Sequence, residues 1–491
     1  MHRRHFCTAA AAALAGAGLY PWRAARAEDT AILGYDGKPL TVPAAEVEAL
    51  RKALRGELLA PGQAGYDQAR RLWNPAFDKK PALIARCAGA ADVVRAVEFA
   101  GGHRLLTAVH GGGHSLSGQS ACDGGIMIDV SPMRAVEVDP QARRARVQSG
   151  ALLGHLDRES LAFGLATTVG TVADTGVAGL TLGGGVGRIG RRFGLSCDNL
   201  AAVEVVSADG HWQRASAQEN PELFWGLRGG GGNFGVATLF EFELHEVDPH
   251  MYGGSLFYPL AGARQMLRHF ADYIAAAPDE LYVDINLETD PALGHVVEFD
   301  VCYSGPPGEA PRVLAGLRRL GKPLKDELRP ASYLDLQGSA NLPGFARFGA
   351  YVRGGLIAGL SPALIDMLVG IMEEAPGSSL AVWLQHQGGA ISRVAPEATA
   401  YWGRSSSHNM GLAGFWEVGS ADAGPDTEWV RSAWARIEPL THGQYVNIAN
   451  SDERDARVHA AYGDNYPRLA ALKKRYDPDN LFRLNANIKP A

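Results

Sequence analysis

Two histidines and a run of glycines sit together in "TAVHGGGHSLSG", residues 107–118. A neutral imidazole is both nucleophile and hydrogen-bonding group, and glycine lets backbone approach a bound molecule closely. His110 and His114 are therefore candidate ligand-holding residues. Two more glycine-rich stretches, "GVAGLTLGGGVGRIG" (176–190) and "LRGGGGNFGV" (227–236), repeat the theme. Consecutive unencumbered N–H groups form concave nests for anions such as a pyrophosphate. One such stretch means little in a chain with 60 glycines, but three, each beside a strand or turn, point to a nucleotide. None opens the strand–turn–helix unit with an acidic residue about 20 positions on that marks a Rossmann fold, so another fold must hold the ligand.

The elements that would position these loops follow from hydrophobic spacing. A chain of 491 residues exceeds what one core supports and implies two domains. From about 78 to 245, short β-branched runs ("GIMIDVS", "AVEVD", "ARVQSG", "AVEVVSADG", "VATLFEFEL") alternate with the amphipathic helices "ADVVRAVEFA" and "GALLGHLDRESLAFG". From 246 to 440, longer alternating runs such as "LYVDINLET", "VVEFDVCYSG" and "LAVWLQHQGG" suit an antiparallel sheet, with helices such as "SPALIDMLVGIMEE" on one face. A stretch 28–77 containing "AAEVEALRKAL" precedes them, and 441–491 closes the chain with a helix, "RLAALKKRY", stopped by "DPDN".

A formal charge of −6 gives no basic surplus for nucleic acid. Residues 1–27 carry a twin arginine, a short apolar stretch and Ala25-Arg26-Ala27, in the order of a twin-arginine export signal. The apolar stretch falls short of the roughly 20 residues of a membrane span, so the expectation is a periplasmic or secreted protein without a membrane anchor. Such signals export folded proteins, often around a cofactor. Cys7 leaves with the signal. Cys87, Cys122, Cys197 and Cys302 lack C-x-x-C or zinc spacing, so no metal site is expected, and one or two disulfides of unreadable pairing stay open. The oligomeric state is not legible.

Taken in order, "GGGHSLSG", "VADTGVAGLTLGGGVGRIGRRFGLSCDNL", "LFWGLRGGGGNFGV" and the final "YVNIANSDERDARVHAAYGDNYPRLAALKKRYDPDNLFRLNANIKP" resemble the berberine-bridge-enzyme-like branch of the vanillyl-alcohol-oxidase flavoproteins. The resemblance implies an α+β fold: a two-part FAD-binding domain of the p-cresol methylhydroxylase type, and a substrate domain with an antiparallel sheet flanked by helices. It implies that His114 bonds covalently to the flavin 8α methyl, and that Gly111, Gly112, Gly113, Ser115 and Gly118 let the first loop lie along the dinucleotide. By the same resemblance Thr175, Gly176, Gly179, Gly183 and Gly184 belong to the second loop, Gly235 and Val236 to the third, and Asn447 and Asn485 to the C-terminal segment, with Asn487 following. Relatives often add a second flavin bond from cysteine; Val172 occupies that place, Cys197 lies well past it, and the expectation is FAD on a single bond through His114. His110 replaces a usual arginine, which would weaken its contact to the diphosphate.

The implied reaction is oxidation of a hydroxyl- or amine-bearing small molecule (a sugar, aromatic alcohol or alkaloid-like compound). A base takes a proton, hydride passes to the flavin, and dioxygen reoxidises the cofactor to give hydrogen peroxide. The family's catalytic tyrosine, last in Y-x-N-Y, is Ile448 here. Candidate bases are therefore His408, which shares a strand face with Met410 at a second family position, Tyr445, and His386 with its neighbours Gln385 and Gln387. If 445–448 is extended, Tyr445 and Asn447 share a face. Thr175 also takes the oxygen-access position, where valine and leucine are common. Trp383, Trp402 and Trp416 are candidates for stacking on a substrate ring. Two alternatives stay open: a dehydrogenase passing electrons to a quinone or cytochrome, and a degenerate nucleotide- or glycan-binding protein of the same fold.

Overall fold

The computed structural model describes residues 29–290, 292–338, 347–377, 379–420, 423–450 and 455–491; the export-signal reading of 1–27 lies outside the described residues. A hairpin of β1 (Thr30–Leu33) and β2 (Pro39–Val42) leads into helix Ala44–Ala53, which buries Val47 and Leu50. β3 (Glu57–Leu59), β4 (Leu83–Arg86), β5 (Thr107–His110) and β6 (Ile126–Asp129) form a sheet in the order β3-β4-β6-β5, with β4 and β5 both parallel to β6. Parallel neighbours need both faces covered, and all four residues of "IMID" are buried. Helix Ala90–Gly102 supplies one cover with Val93, Ala96, Val97 and Ala100.

The chain continues through β7 (Val136–Asp139), β8 (Arg144–Gln148), the two-residue β9 (Leu165–Ala166), β10 (Leu200–Val206), β11 (Trp212–Ser216), β12 (Val236–Glu243) and β13 (His245–Glu246). Five of these make an antiparallel sheet, β11-β10-β12-β8-β7, while β9 pairs with β13.

The third sheet carries the longest strands: β14 (His250–Pro259), β15 (Leu281–Asp290), β16 (Gly294–Tyr303), β17 (Lys325–Asp326), β18 (Arg329–Ser332), β19 (Phe348–Ile357), β20 (Leu380–His386) and β21 (His408–Glu417). Its order is β17-β14-β16-β15-β20-β21-β19, with β18 also on β14, antiparallel throughout. Helices Ala263–Ala275, Ala310–Arg318, Pro362–Glu373 and Ala423–Ile437 pack on one face through residues such as Phe270, Leu314, Leu368 and Trp434. The helix after Pro362 starts where "SPAL" directs: Ser361 accepts the N–H of Leu364 at 3.2 Å and proline takes the first turn. Period-2 alternation splits β20 sharply. Leu380, Val382, Leu384 and His386 are buried, whereas Ala381, Trp383 and Gln385 are half-buried on the other face.

The C-terminal helix Tyr466–Tyr476 is tied down from within. Lys473, without exposure, donates to Asp477 at 2.7 Å and to the carbonyls of Asn233 (2.8 Å) and Phe482 (2.9 Å). The disulfides left open above do not form: Cys87, Cys122, Cys197 and Cys302 are free thiols buried singly in separate parts of the core.

Candidate active site

A cavity of about 540 Å³ is lined by all three glycine-rich stretches, by the start of β12, and by β15, β16 and β20 of the third sheet. Glycine is required where the first two stretches cross. A Cβ on Gly112 would lie 2.4 Å from the Cα of Gly176, and one on Gly176 would lie 2.6 Å from the nitrogen of Gly112. Backbone meets backbone there, so no side chain can yield. Gly111, Gly113, Ser115, Thr175, Gly179, Gly235 and Val236 also line the cavity.

His114 lines it as well. Its ring stacks on Trp73, with centroids 4.6 Å apart and planes at 26°, and Trp73 donates its backbone N–H to the Gly113 carbonyl at 2.9 Å. The Nε2 of His114 is buried without a hydrogen-bond partner; Asp174 stands 3.6 Å away. Asn74, wholly buried, clamps this loop to the third sheet by donating to the carbonyls of Leu116 (2.9 Å) and Ala350 (2.8 Å). Neither Trp73 nor Asn74 belongs to a glycine motif, so nothing in the spacing marked them.

Several expected residues stand elsewhere. His110, last in β5, turns away from the cavity and packs under Gly113, where a Cβ would meet its ring at 2.8 Å; it supports the loop rather than a diphosphate. Gly118 gives room to Phe77, Gly183 to the side chain of Asn447, and Gly184 to the ring of Tyr401; none of the three lines the cavity. Cys197 is buried away from it, whereas Val172 is part of its wall.

The C-terminal segment closes one side. Residues 446–448 form a 3₁₀ turn rather than the extended stretch expected, yet Tyr445 and Asn447 still meet: Asn447 donates to the Tyr445 hydroxyl at 2.7 Å and to the Leu180 carbonyl at 2.9 Å. The same hydroxyl accepts the N–H of Gly185 at 2.9 Å, and burial pushes its pKa up to about 12. Asn233 ties the tail to the third loop by accepting from Ile488 N–H at 3.0 Å and donating to Ala486 at 3.1 Å, which brings Asn485 to the cavity with its Oδ1 buried and unpaired. Asn487 is outside the lining.

The candidate bases on β20 and β21 fall on the wrong side of the pleat. His386 and His408 are cross-strand partners, stacked with ring centroids 5.2 Å apart, and neither lines the cavity. Burial first, then Arg191, holds the imidazole of His386 well below its ordinary range and that of His408 at about 3, so both are neutral. Met410 belongs to the helix-covered core with them in the alternation. Gln387 is buried behind, its Oε1 accepting from Tyr401. Trp383 and Gln385 point into the cavity; Trp402 and Trp416 do not.

The wall that the third sheet contributes is polar. Asp284 and Asn286 on β15, Asp300 on β16, Gln385 on β20 and Arg188 from the second glycine stretch all contribute. Arg188, 1% exposed, grips Asp300 with both terminal nitrogens at 2.8 Å. Asn409 donates to the Gln385 oxygen at 2.8 Å, which leaves that amide's N–H groups to donate into the cavity. A sequence signal for this wall exists: "LYVDINLET" places Asp284, Asn286 and Glu288 on one face of a strand whose other face carries Leu281, Val283, Ile285 and Leu287.

Residues 81–216 match the FAD binding domain family, and residues 444–489 the family of berberine and berberine like proteins. The chain is 31% identical to (R)-6-hydroxynicotine oxidase of Paenarthrobacter nicotinovorans, over 89% of its own length and 97% of that protein. The chain belongs to the berberine-bridge-enzyme-like FAD-linked oxidoreductases. A further member of this group, an FAD-linked oxidoreductase of Dictyostelium discoideum, is 30% identical over 89% of this chain and 96% of that protein. The fold is shared with 6-hydroxy-D-nicotine oxidase from Arthrobacter nicotinovorans (TM-score 0.82, 29% identity, 89% of this chain and 98% of that one) and with a chitooligosaccharide oxidase (TM-score 0.83, 23% identity, 91% and 99%). For a berberine-bridge-enzyme-like chain the cofactor is FAD, and the cavity fits it. Three loops meet it with bare backbone, open space surrounds Gly179 and Gly232, and His114 Nε2 and Asn485 Oδ1 are buried polar atoms without partners. As a family these enzymes oxidise alcohols, sugars or amines.

Proposed function

We propose that this protein is an exported FAD-linked oxidase that carries its flavin on one covalent bond, from His114, and oxidises a carbon bearing a hydroxyl or amine group. The observation that carries this reading is that His114 and Val172 line the same cavity: a histidine whose Nε2 has no hydrogen-bond partner at one attachment position, and a side chain unable to form a bond at the other. Bound FAD supplies a two-electron acceptor, and a covalent substituent raises its potential. Dioxygen, the acceptor implied by the word oxidase in the names of several relatives, would turn over the reduced cofactor and leave as hydrogen peroxide.

The chain's own residues define what the substrate meets. Trp383 offers a flat apolar face to a ring, Gln385 donates to a heteroatom, and Asn286 and Asp284 accept from hydroxyl or amine hydrogens. Named substrates of relatives cover both chemistries, a hydroxynicotine and chitooligosaccharides, and either fits a wall with these donors and acceptors. The test is anaerobic bleaching of the purified yellow protein by a panel of (R)-6-hydroxynicotine, chitobiose, glucose and benzyl alcohol, followed by admission of air. Bleaching by one member and rapid return of colour with peroxide support an oxidase; slow return indicates a dehydrogenase, and a colourless protein removes the oxidoreductase reading.

A further inference from the structure

With His386 and His408 turned from the cavity, the Tyr445 hydroxyl engaged by two N–H donors, and isoleucine at 448, the residues first considered as base leave that role unfilled. One cavity-lining side chain meets its requirements. Asp284 is 7% exposed, and no cation pairs with it among the described residues. Its cross-strand neighbour is Asp300, and Arg188 commits its two terminal nitrogens to Asp300. Two carboxylates thus stand side by side with one cation, and that cation is taken. One oxygen of Asp284 accepts the backbone N–H of His386 at 2.9 Å, which fixes the carboxyl in the wall next to the Gln385 amide.

Resting on the oxidase reading above, we propose that Asp284 is the proton acceptor of substrate oxidation. Its carboxylate takes the proton of the substrate O–H or N–H while the adjacent carbon gives up its hydrogen, with the bonding electron pair, to the flavin. One heteroatom–hydrogen bond and one C–H bond break, and a C=O or C=N bond forms. The substrate loses two electrons, the flavin gains them with the hydrogen, and the proton rests on Asp284. Gln385 orients the same heteroatom by donating to it.

The environment suits that task. Burial first, then the charge of Asp300, raises the Asp284 carboxyl to about 7; the nearby Tyr282 hydroxyl, the His386 N–H and Arg188 oppose the rise. A base near neutrality both exists in its ionised form and holds the proton it receives. A carboxylate at its ordinary pKa of about 3.9 would hold it poorly.

The experiment compares wild type, Asp284→Asn and Asp284→Glu as flavin-loaded holoenzymes. It measures anaerobic flavin reduction by whichever panel compound bleaches wild type fastest, and infrared difference spectra without substrate between about pH 5 and 9. Asp284→Asn should reduce its flavin at least about 100-fold more slowly while affinity for the compound moves less than about fivefold, since general base catalysis contributes about 10²–10⁴. The rise in wild-type rate through about pH 7 should vanish with it, and so should one carboxyl band that titrates there. Asp284→Glu should recover part of the rate and keep the band. Should Asp284→Asn lose its flavin, the Asp284→Glu rate profile and the wild-type band decide. Flavin reduction by Asp284→Asn within about threefold of wild type with the limb intact, or no wild-type carboxyl titrating near neutrality, overturns the assignment and leaves the oxidase reading standing. A wild type that no panel member bleaches overturns both.

Discussion

Gly411→Ala is a sharp test of how the third sheet shapes the cavity. Gly411 lies directly across from Trp383 in the β20–β21 register, and the indole occupies the space beside the glycine. A Cβ at 411 would stand 2.0 Å from Cζ2, 2.3 Å from Cε2 and 2.5 Å from Cη2 of Trp383. Carbon atoms rest about 3.5–4.0 Å apart, so the indole must shift by about 1.5 Å. Overpacking of this kind costs about 1–3 kcal/mol, and because Trp383 lines the cavity, a shift of that size should also reduce kcat/KM about 10- to 100-fold at unchanged flavin content. The assay is a double-mutant cycle in urea with Trp383→Ala. If the clash is with the indole, Gly411→Ala should cost about 1–3 kcal/mol in the wild-type background and little in the Trp383→Ala background, a coupling well outside additivity. Equal costs in the two backgrounds would refute the packing argument.

Two further outcomes follow from burial and hydrogen bonding. Tyr445→Phe orphans the Gly185 N–H and should cost about 1–3 kcal/mol of stability, yet slow flavin reduction less than about tenfold; a 100-fold slowing at unchanged stability would make Tyr445 the base. Asp157 is fully buried, accepts from Gln337 at 3.1 Å, and is raised by burial to about 7. Because its folded pKa lies above its unfolded one, its stabilising share is complete below about pH 4 and is lost as pH rises through 7. Asp157→Asn should therefore flatten the stability profile in that window and gain up to roughly 4 kcal/mol above it; urea curves of the two proteins that stay parallel from about pH 5 to 8 would contradict this.

Strands whose apolar residues alternate, such as β12, β15 and β16, were legible in the sequence because burial of one face writes itself as period two. β14 and β19 were harder. Each contains a glycine pair, Gly253-Gly254 and Gly354-Gly355, whose missing side chains make room for Leu336 and Ile448, so the alternation is interrupted where packing is tightest. Glycine also explains the mixed fate of the cofactor loops. It announces that something comes close without naming it: at Gly112 and Gly176 it is the other loop, at Gly183 the Asn447 side chain, and at Gly179 the open cavity. Two of the three candidate bases sit one position of strand parity away from the cavity. His386 and His408 look reactive in sequence, but Gln385, Asn409 and Gly411 hold the cavity-facing parity, and the polar wall of Asp284 and Asn286 lies in a strand outside every motif.

The central claim is the flavin bond from His114, and peptide mass mapping of the denatured protein tests it most directly. The account predicts one flavin-bearing peptide, the one spanning His114, and its loss in His114→Ala with no new attachment at Val172 or Cys197. An unmodified His114 peptide from yellow protein, or flavin found on any other residue, would contradict it.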